Sequence, residues 1–167
     1  MTPHDTAHTG FETVVDALDY PMFVVTTTDG TRRAGCLIGF AAQCSISPPR
    51  FMVWLSKRNH TFQVATGAST VAVHRLDASA TGLAELFGSH TGFDTDKFTR
   101  CRWRPGPGGV PLLEDCPGWF AGEILSRHDT GDHLGLLLRP IAGTTATELG
   151  PQLGFRAVRD LSPGNEP

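Results

Sequence analysis

The chain has 167 residues, of which 40% are hydrophobic and 19% are charged, and its formal net charge at pH 7 is −3. This length favours a single domain that buries a core without disulfides or a structural metal. The slightly acidic balance argues against a nucleic-acid-binding protein, because such proteins carry a basic face.

Apolar and β-branched runs bounded by Gly, Pro or Asp predict about six strands. They lie at 22–28, 33–41, 51–55, 70–76, 119–128 and 133–141, with a short final strand at 153–155. Apolar residues at helical spacing predict helices at 11–18, 61–65 and 80–87 and one helical turn at 94–98. Asp29-Gly30 predicts a tight turn, and the Pro- and Gly-rich segment 104–111 predicts a loop.

These elements predict a mainly β fold in which a few helices are inserted between strands. The strands do not alternate regularly with helices, which disfavours a parallel sheet. A small antiparallel barrel, closed or partly open, fits the length best. Residues 11–160 are expected to form this domain, and residues 1–10 and 161–167 are expected to be flexible ends, since they are polar or rich in Pro and Gly.

The sequence also carries expectations about the location of the protein. Its first ten residues lack the apolar segment of a signal peptide. The longest apolar run, at 34–42, is too short to span a bilayer. We therefore expect a cytoplasmic protein that does not associate with membranes or nucleic acids. The four cysteines have no zinc-type spacing, and His128 and His133 lack a third partner, so no metal site is predicted.

The usual catalytic signatures are missing from the sequence. It has no phosphate-binding loop, no dinucleotide fingerprint and no zinc-protease motif. The Gly-x-Ser-x-Gly elbow of common hydrolases is also missing. If the protein is an enzyme, we expect a cofactor to supply its chemistry.

The segment 35–61 is the most informative part of the chain. Gly35 and Gly39 interrupt a predicted strand, where a flat ligand could lie against the backbone. Lys57, Asn59 and Thr61 then gather a cation and hydrogen-bond donors at a predicted helix start, which favours a phosphate. The same pattern is also typical of a core strand followed by a solvated basic turn, so both interpretations stay open.

The triplet Gly131-Asp132-His133 is the second informative feature. A histidine that enters a strand beside an aspartate can be a positioned imidazole that titrates near neutral pH. Gly and Asp are also ordinary turn residues, and His133 can then be merely exposed. Lys97 is a further cation that could reach a ligand phosphate or could simply be surface charge.

Taken together and in order, several blocks resemble the flavin reductase-like family, the FMN-binding split barrels. The matching blocks are Tyr20–Thr26, Gly35–Phe40, Ser45–Pro49, Ser56–Thr61, Leu83–Gly88, Asp96–Phe98, Gly131–His133 and Leu153–Arg156. Each block is weak alone, whereas the ordered set covers most of the chain. The resemblance implies an antiparallel Greek-key split β-barrel that forms a homodimer, with flavin near the dimer interface.

The resemblance also implies a set of site residues. The isoalloxazine ring would lie against the backbone of Cys36, Leu37, Ile38 and Gly39. The ribityl chain or ring edge would meet Gln43, Cys44 and Ser45, and the phosphate would meet Lys57, Asn59 and Thr61, together with Lys97. Nicotinamide-nucleotide binding would involve Gly131, Asp132 and His133, with Phe155 stacking nearby. His133 would be the residue closest to a catalytic role.

The activity that the resemblance implies is an NAD(P)H:flavin oxidoreductase. It would transfer hydride from NADH or NADPH to FMN or FAD and would supply reduced flavin to a partner monooxygenase. Two alternatives keep the barrel. One is an oxidoreductase of the deazaflavin-dependent or pyridoxamine-oxidase-like kind, and the other is a flavin- or heme-binding module without turnover.

Overall fold

A computed structural model describes residues 3–164 of the chain. Nine strands lie within this range: β1 (Phe23–Thr28), β2 (Arg33–Ile38), β3 (Ala41–Ser45), β4 (Arg50–Ser56), β5 (Thr70–Arg75), β6 (Trp103–Pro105), β7 (Pro111–Leu113), β8 (Trp119–Asp129) and β9 (His133–Gly143). The helices are α1 (Pro3–Asp16), α2 (His60–Gly67) and α3 (Thr81–Ser89). Short 3-10 turns occupy Lys97–Thr99, Pro107–Gly109 and Phe155–Ala157.

Seven of these strands form one antiparallel sheet in the order β2-β1-β5-β8-β9-β4-β3, and β6 and β7 pair separately. The predicted mainly β, antiparallel fold is therefore confirmed. The number of strands was underestimated. The predicted strand 33–41 is divided into β2 and β3 at Gly39–Phe40, and the predicted loop 104–111 contains most of the β6–β7 hairpin.

The final predicted strand, 153–155, is wrong. This part of the chain makes only two isolated bridges, Pro21 with Gly154 and Asp77 with Gln152, before the 3-10 turn at Phe155–Ala157. Its apolar residue, Leu153, is buried by packing into the core beside Met22 rather than by joining the sheet.

The connection between β2 and β3 shows that the large sheet curls into a barrel. The two strands occupy opposite edges of the sheet, yet only Gly39 and Phe40 separate them in the chain. Seven flat strands would place these edges about 29 Å apart, whereas the connection reaches about 10 Å. The edges must therefore meet, and at the crossing Phe40 O accepts a hydrogen bond from Trp54 N of β4 at 2.9 Å, which extends the β3–β4 pairing.

Two of the three apolar clusters in the described residues hold the barrel and its helices. The barrel interior contains Val25, Val53 and Leu136, which are almost completely buried and come from three different strands. A second cluster places Phe87 of α3 against Met22 and Leu153.

Helix α1 begins at Pro3 and not at Phe11, so residues 3–10 are helical where an irregular end was expected. This polar part has no apolar periodicity, and side-chain contacts one turn apart support it: Thr9 Oγ1 donates to Asp5 O at 2.9 Å and Thr13 Oγ1 to Thr9 O at 2.8 Å. The expected flexible residues 1–2 and 165–167 lie outside the described residues. No helix within residues 3–164 is long and apolar enough to cross a membrane.

Candidate functional site

A cavity of about 170 Å³ opens where the seam of the barrel meets the start of α2. Its lining includes the segment predicted to meet the flavin ring, Cys36–Gly39, together with Asn59, His133 and Phe155. A wider cavity of about 480 Å³ adjoins it and extends to Val15 of α1 and to Leu18 just after this helix. The two cavities share five residues: Tyr20, Gly39, Phe40, Trp54 and His133.

Aromatic rings form one wall of the smaller cavity. Tyr20 stacks on Phe155 with ring centroids 4.7 Å apart and planes inclined by 19°. Phe40 lies 6.0 Å from Tyr20 and 5.1 Å from the imidazole of His133. Partial burial raises the pKa of Tyr20, so its hydroxyl stays neutral at physiological pH. This wall offers flat apolar surfaces of the kind that bind planar ligands.

The two strand glycines serve packing within the protein. A Cβ on Gly39 would lie 2.2 Å from Cε2 of Tyr20, and a Cβ on Gly35 would lie 2.9 Å from Cε1 of Phe87. Aromatic rings of the protein therefore fill the space that these missing side chains leave, and a flat ligand against the backbone here stays a prediction. Gly39 nevertheless lines both cavities through its remaining atoms.

The start of α2 forms the polar end of the site. Asn59 caps the helix, its Oδ1 accepting a hydrogen bond from Thr61 N at 3.1 Å. Cys36 and Thr61 are buried beside this cap. Burial raises the pKa of the Cys36 thiol, whereas hydrogen bonds from Thr61 and Asn59 act in the opposite direction. Thr61 is therefore a supporting residue of this helix start, and Asn59 faces the cavity.

Strand pairing brings the two informative sequence segments together. In the β4–β9 pair, Ser56 lies opposite His133, and Lys57 N donates to Asp132 O at 2.9 Å. The Lys57 ammonium lies 2.7 Å from Oδ1 of Asp129, a contact that lowers the pKa of this carboxyl. The cation of the helix start and the turn before β9 therefore form one surface.

The Asp132–His133 pair has a defined geometry. Nδ1 of His133 lies 2.7 Å from Oδ1 of Asp132, and this hydrogen bond lowers the pKa of Asp132. The bond leaves Nε2 as the ring nitrogen that can meet a ligand. Gly131 permits the preceding turn, since its φ of +119° is a conformation that other residues rarely adopt.

The model of the flavin reductase like domain family matches residues 15–161. The chain belongs to this family. The FMN reductase (NADH) RutF of Agrobacterium fabrum is 33% identical to it over 113 residues, which cover 65% of this chain and 63% of that protein. The reductase subunit HsaB of a flavin-dependent monooxygenase from Mycobacterium tuberculosis is 29% identical over 100 residues, which cover 58% of this chain and 52% of that protein. In both cases the match spans less than two thirds of the relative's length.

A solved structure of similar fold is the flavin reductase domain protein from an Arthrobacter species. It superposes with a TM-score of 0.78 at 22% identity and covers 88% of this chain and 89% of that one. This likeness confirms the split β-barrel of the flavin reductases as the fold.

Seven predicted site residues of this flavin reductase-like domain line neither cavity: Gln43, Cys44, Ser45, Lys57, Thr61, Lys97 and Gly131. Gln43, Cys44 and Ser45 line a separate depression on β3, where Gln43 Nε2 donates to Ser45 O at 3.2 Å. Lys97 is 3% exposed, and its ammonium donates to Gly35 O and Phe87 O at 3.0 and 3.2 Å. The expectation that Lys97 holds a flavin phosphate is not supported, because its hydrogen bonds point into the protein.

Sequence analysis did not predict a site role for five residues that line the cavity: Tyr20, Met22, Phe40, Trp54 and Ser56. In the sequence, Tyr20 is only the first residue of the matching block Tyr20–Thr26, and Trp54 lies within the predicted strand 51–55. Contacts between Tyr20 and Phe155 span most of the chain and have no local signature.

Proposed function

We propose that this flavin reductase-like domain transfers hydride from NADH or NADPH to FMN or FAD. One observation carries the proposal: the aromatic wall and His133, whose ring is held by Asp132, line the same cavity, and Asn59 at the capped start of α2 lines it too. An apolar wall with a few convergent polar groups is what a site for a planar, phosphorylated cofactor requires.

The residues present fit a flavin. Leu37, Ile38 and Phe155 offer apolar surface to a ring system, and the Tyr20–Phe155 stack makes that surface flat. Lys57 and the α2 start offer positive charge to a phosphate. When bound, a flavin supplies the hydride acceptor, and the protein supplies binding, orientation and electrostatics.

The chain's own groups would then position the nicotinamide nucleotide. His133 lies at the boundary of the two cavities, so its Nε2 can bind the dinucleotide while Asp132 fixes the ring. The rings of Phe40 and Tyr20 would exclude water from the reacting face. Gly131 contributes to binding indirectly, because its positive φ allows the turn that places Asp132 and His133.

We further propose a cytoplasmic homodimer that hands reduced flavin to a monooxygenase. Helix α1 leaves Phe11 66% and Val14 64% exposed beside the wider cavity, and a second copy would cover such apolar surface. In a single copy, the segment Gln43–Ser45 lies away from the cavity. We therefore propose that it contacts flavin only in such a dimer. The similarity to a monooxygenase reductase subunit supports the acceptor.

The test is a turnover assay with the purified chain and the four combinations of NADH or NADPH with FMN or FAD. The expected result is that the nicotinamide nucleotide is oxidised well above the protein-free rate in at least one combination. The loss of its absorbance measures this oxidation. No oxidation in any combination contradicts the proposed activity. Flavin binding without oxidation would then favour a non-catalytic flavin-binding module.

A further inference from the structure

Lys97 is a buried cation that the proposed function does not use. The residue is 3% exposed and sits in the 3-10 turn Lys97–Thr99. Two backbone carbonyls accept its hydrogen bonds, Gly35 O of β2 at 3.0 Å and Phe87 O of α3 at 3.2 Å. Its ammonium also lies 5.5 Å from the centre of the Phe87 ring. All of these partners are uncharged, so they solvate the charge without cancelling it.

The neighbouring carboxylate is engaged elsewhere. Asp96 Oδ2 accepts a hydrogen bond from Arg33 at 2.9 Å, and its Oδ1 accepts one from Phe98 N at 3.0 Å. Among residues 3–164, no carboxylate forms an ion pair with Lys97. A buried charge without a counter-ion acts over a longer distance than a surface charge, because water does not screen it.

This charge lies directly behind the wall of the cavity. Gly35, which accepts from Lys97, is followed in β2 by Cys36, and Cys36 lines the cavity. The two side chains interact electrostatically: the Lys97 charge favours the thiolate of Cys36, although burial raises the pKa of that thiol overall. Burial disfavours charged forms in general, so it lowers the pKa of the Lys97 ammonium. The charge of Lys97 therefore makes the electrostatic potential at the cavity surface more positive.

We infer that Lys97 makes this cavity bind reduced flavin more tightly than oxidised flavin. The inference rests on the proposed function, since it assumes that flavin occupies the cavity. Oxidised flavin that accepts a hydride gains two electrons and one proton, so it gains one negative charge, while the nicotinamide becomes its oxidised cation. A fixed cation behind the cavity wall stabilises the form that carries this added charge.

The test measures flavin binding in both oxidation states without any nicotinamide nucleotide. Dissociation constants for FMN and for dithionite-reduced FMN are determined under anaerobic conditions for the wild-type chain and for Lys97→Met, Lys97→Arg and Arg33→Met. Arg33→Met is the matched control, since it removes a nearby cation that already has Asp96 as its counter-ion. Circular dichroism establishes that each variant is folded.

The wild-type chain is expected to bind reduced FMN more tightly. Lys97→Met should lower the ratio of the reduced-form to the oxidised-form association constant by about tenfold, which equals a fall of about 30 mV in the two-electron midpoint potential. Lys97→Arg and Arg33→Met should leave the ratio within about twofold of wild type.

Three outcomes overturn the inference. A folded Lys97→Met variant that loses affinity for both forms equally gives Lys97 a structural role only and leaves the proposed function intact. Wild-type protein that binds oxidised FMN as tightly as reduced FMN overturns the inference even if every Lys97 variant fails to fold. No binding of either form contradicts the proposed function and this inference together.

Discussion

The imidazole of His133 is held by its immediate neighbour in the chain, with Nδ1 2.7 Å from Oδ1 of Asp132. The Asp132 side chain is 84% exposed, whereas that of His133 is only 26% exposed and faces the cavity. An exposed carboxylate therefore orients a half-buried ring whose second nitrogen points to the site. If His133 positions the dinucleotide, His133→Ala should raise the KM for NADH about tenfold, the effect of losing one hydrogen bond to a charged group.

Steady-state kinetics with NADH and flavin titrations together test this prediction, and the flavin dissociation constant should change much less than the KM. His128→Ala is the control, because His128 lies in the same hairpin but is exposed and bonds Ser126. An unchanged KM in His133→Ala would count against the binding role of this ring.

Lys57 is predicted to recognise the flavin phosphate. Its ammonium is one-third exposed and is held by Asp129 at 2.7 Å beside the α2 start. Lys57→Met should weaken FMN binding by about tenfold and leave the binding of riboflavin, which has no phosphate, nearly unchanged. Asp129→Asn should not weaken FMN binding, because it releases Lys57 from its partner. Equal losses for FMN and riboflavin would show that Lys57 acts on the shape of the site and not on the phosphate.

His74 is predicted to make folding stability depend on pH. The ring is wholly buried: its Nε2 accepts from Leu113 N at 3.0 Å, and its Nδ1 lies 3.1 Å from Val24 O. Burial lowers its pKa from 6.5 to about 4. The folded state therefore takes up a proton less readily than the unfolded state, so this contribution to stability is complete above about pH 6.5 and is lost as the pH falls towards 4.

The expected loss in unfolding free energy between pH 6.5 and pH 5 is about 2 kcal/mol, measured by urea denaturation. The carboxyls of Asp29, with a pKa of about 2, and Asp129, whose pKa is lowered, stay charged in this interval. Burial also lowers the pKa of His60, which adds a contribution of the same sign. His74→Gln should be less stable at neutral pH and should lose the part of the pH dependence that His74 supplies, whereas His60→Gln should keep that part. If His74→Gln keeps the wild-type dependence of unfolding free energy on pH, other groups are responsible for it.

Gly39 is predicted to tolerate no side chain. The added Cβ of Gly39→Ala would lie 2.2 Å from Cε2 of Tyr20, which is itself stacked on Phe155. Moving these rings should cost about 1–3 kcal/mol of stability and weaken flavin binding. Gly82→Ala is the control, because nothing lies within 4 Å of the added carbon in α3. It should stabilise the protein by up to about 1 kcal/mol, and thermal unfolding of both variants checks the contrast.

Local sequence patterns predicted the central strands well, because apolar runs such as Thr70–Arg75 are bounded by clear turn signals. Local sequence patterns failed where one apolar run continues across the boundary between two strands. The apolar stretch 34–42 contains both the end of β2 and the start of β3, and nothing local shows that the chain crosses the barrel seam at Gly39–Phe40. The start of α1 was missed for a similar reason, since its polar first turns have no apolar periodicity.

The site was predictable by segment but not by side chain. The segments that contain Lys57 and His133 do meet, through the pairing of β4 with β9. The direction in which a side chain points depends on distant contacts. Lys97 turns inward because the carbonyls of Gly35 and Phe87, from two other elements, accept its hydrogen bonds. The room at Gly39 is taken by Tyr20 from an earlier part of the chain.

The crossing at Gly39–Phe40 couples binding to the local opening of this stretch of chain. The same two residues connect β2 to β3 and line both cavities, so the cavities keep their shape only while this stretch stays paired with β4. A ligand held there must bind the closed form alone, and its binding energy is then added in full to the free energy of local opening. Amide hydrogen exchange at the Trp54 N to Phe40 O bond therefore becomes a direct gauge of site occupancy, and it requires no turnover.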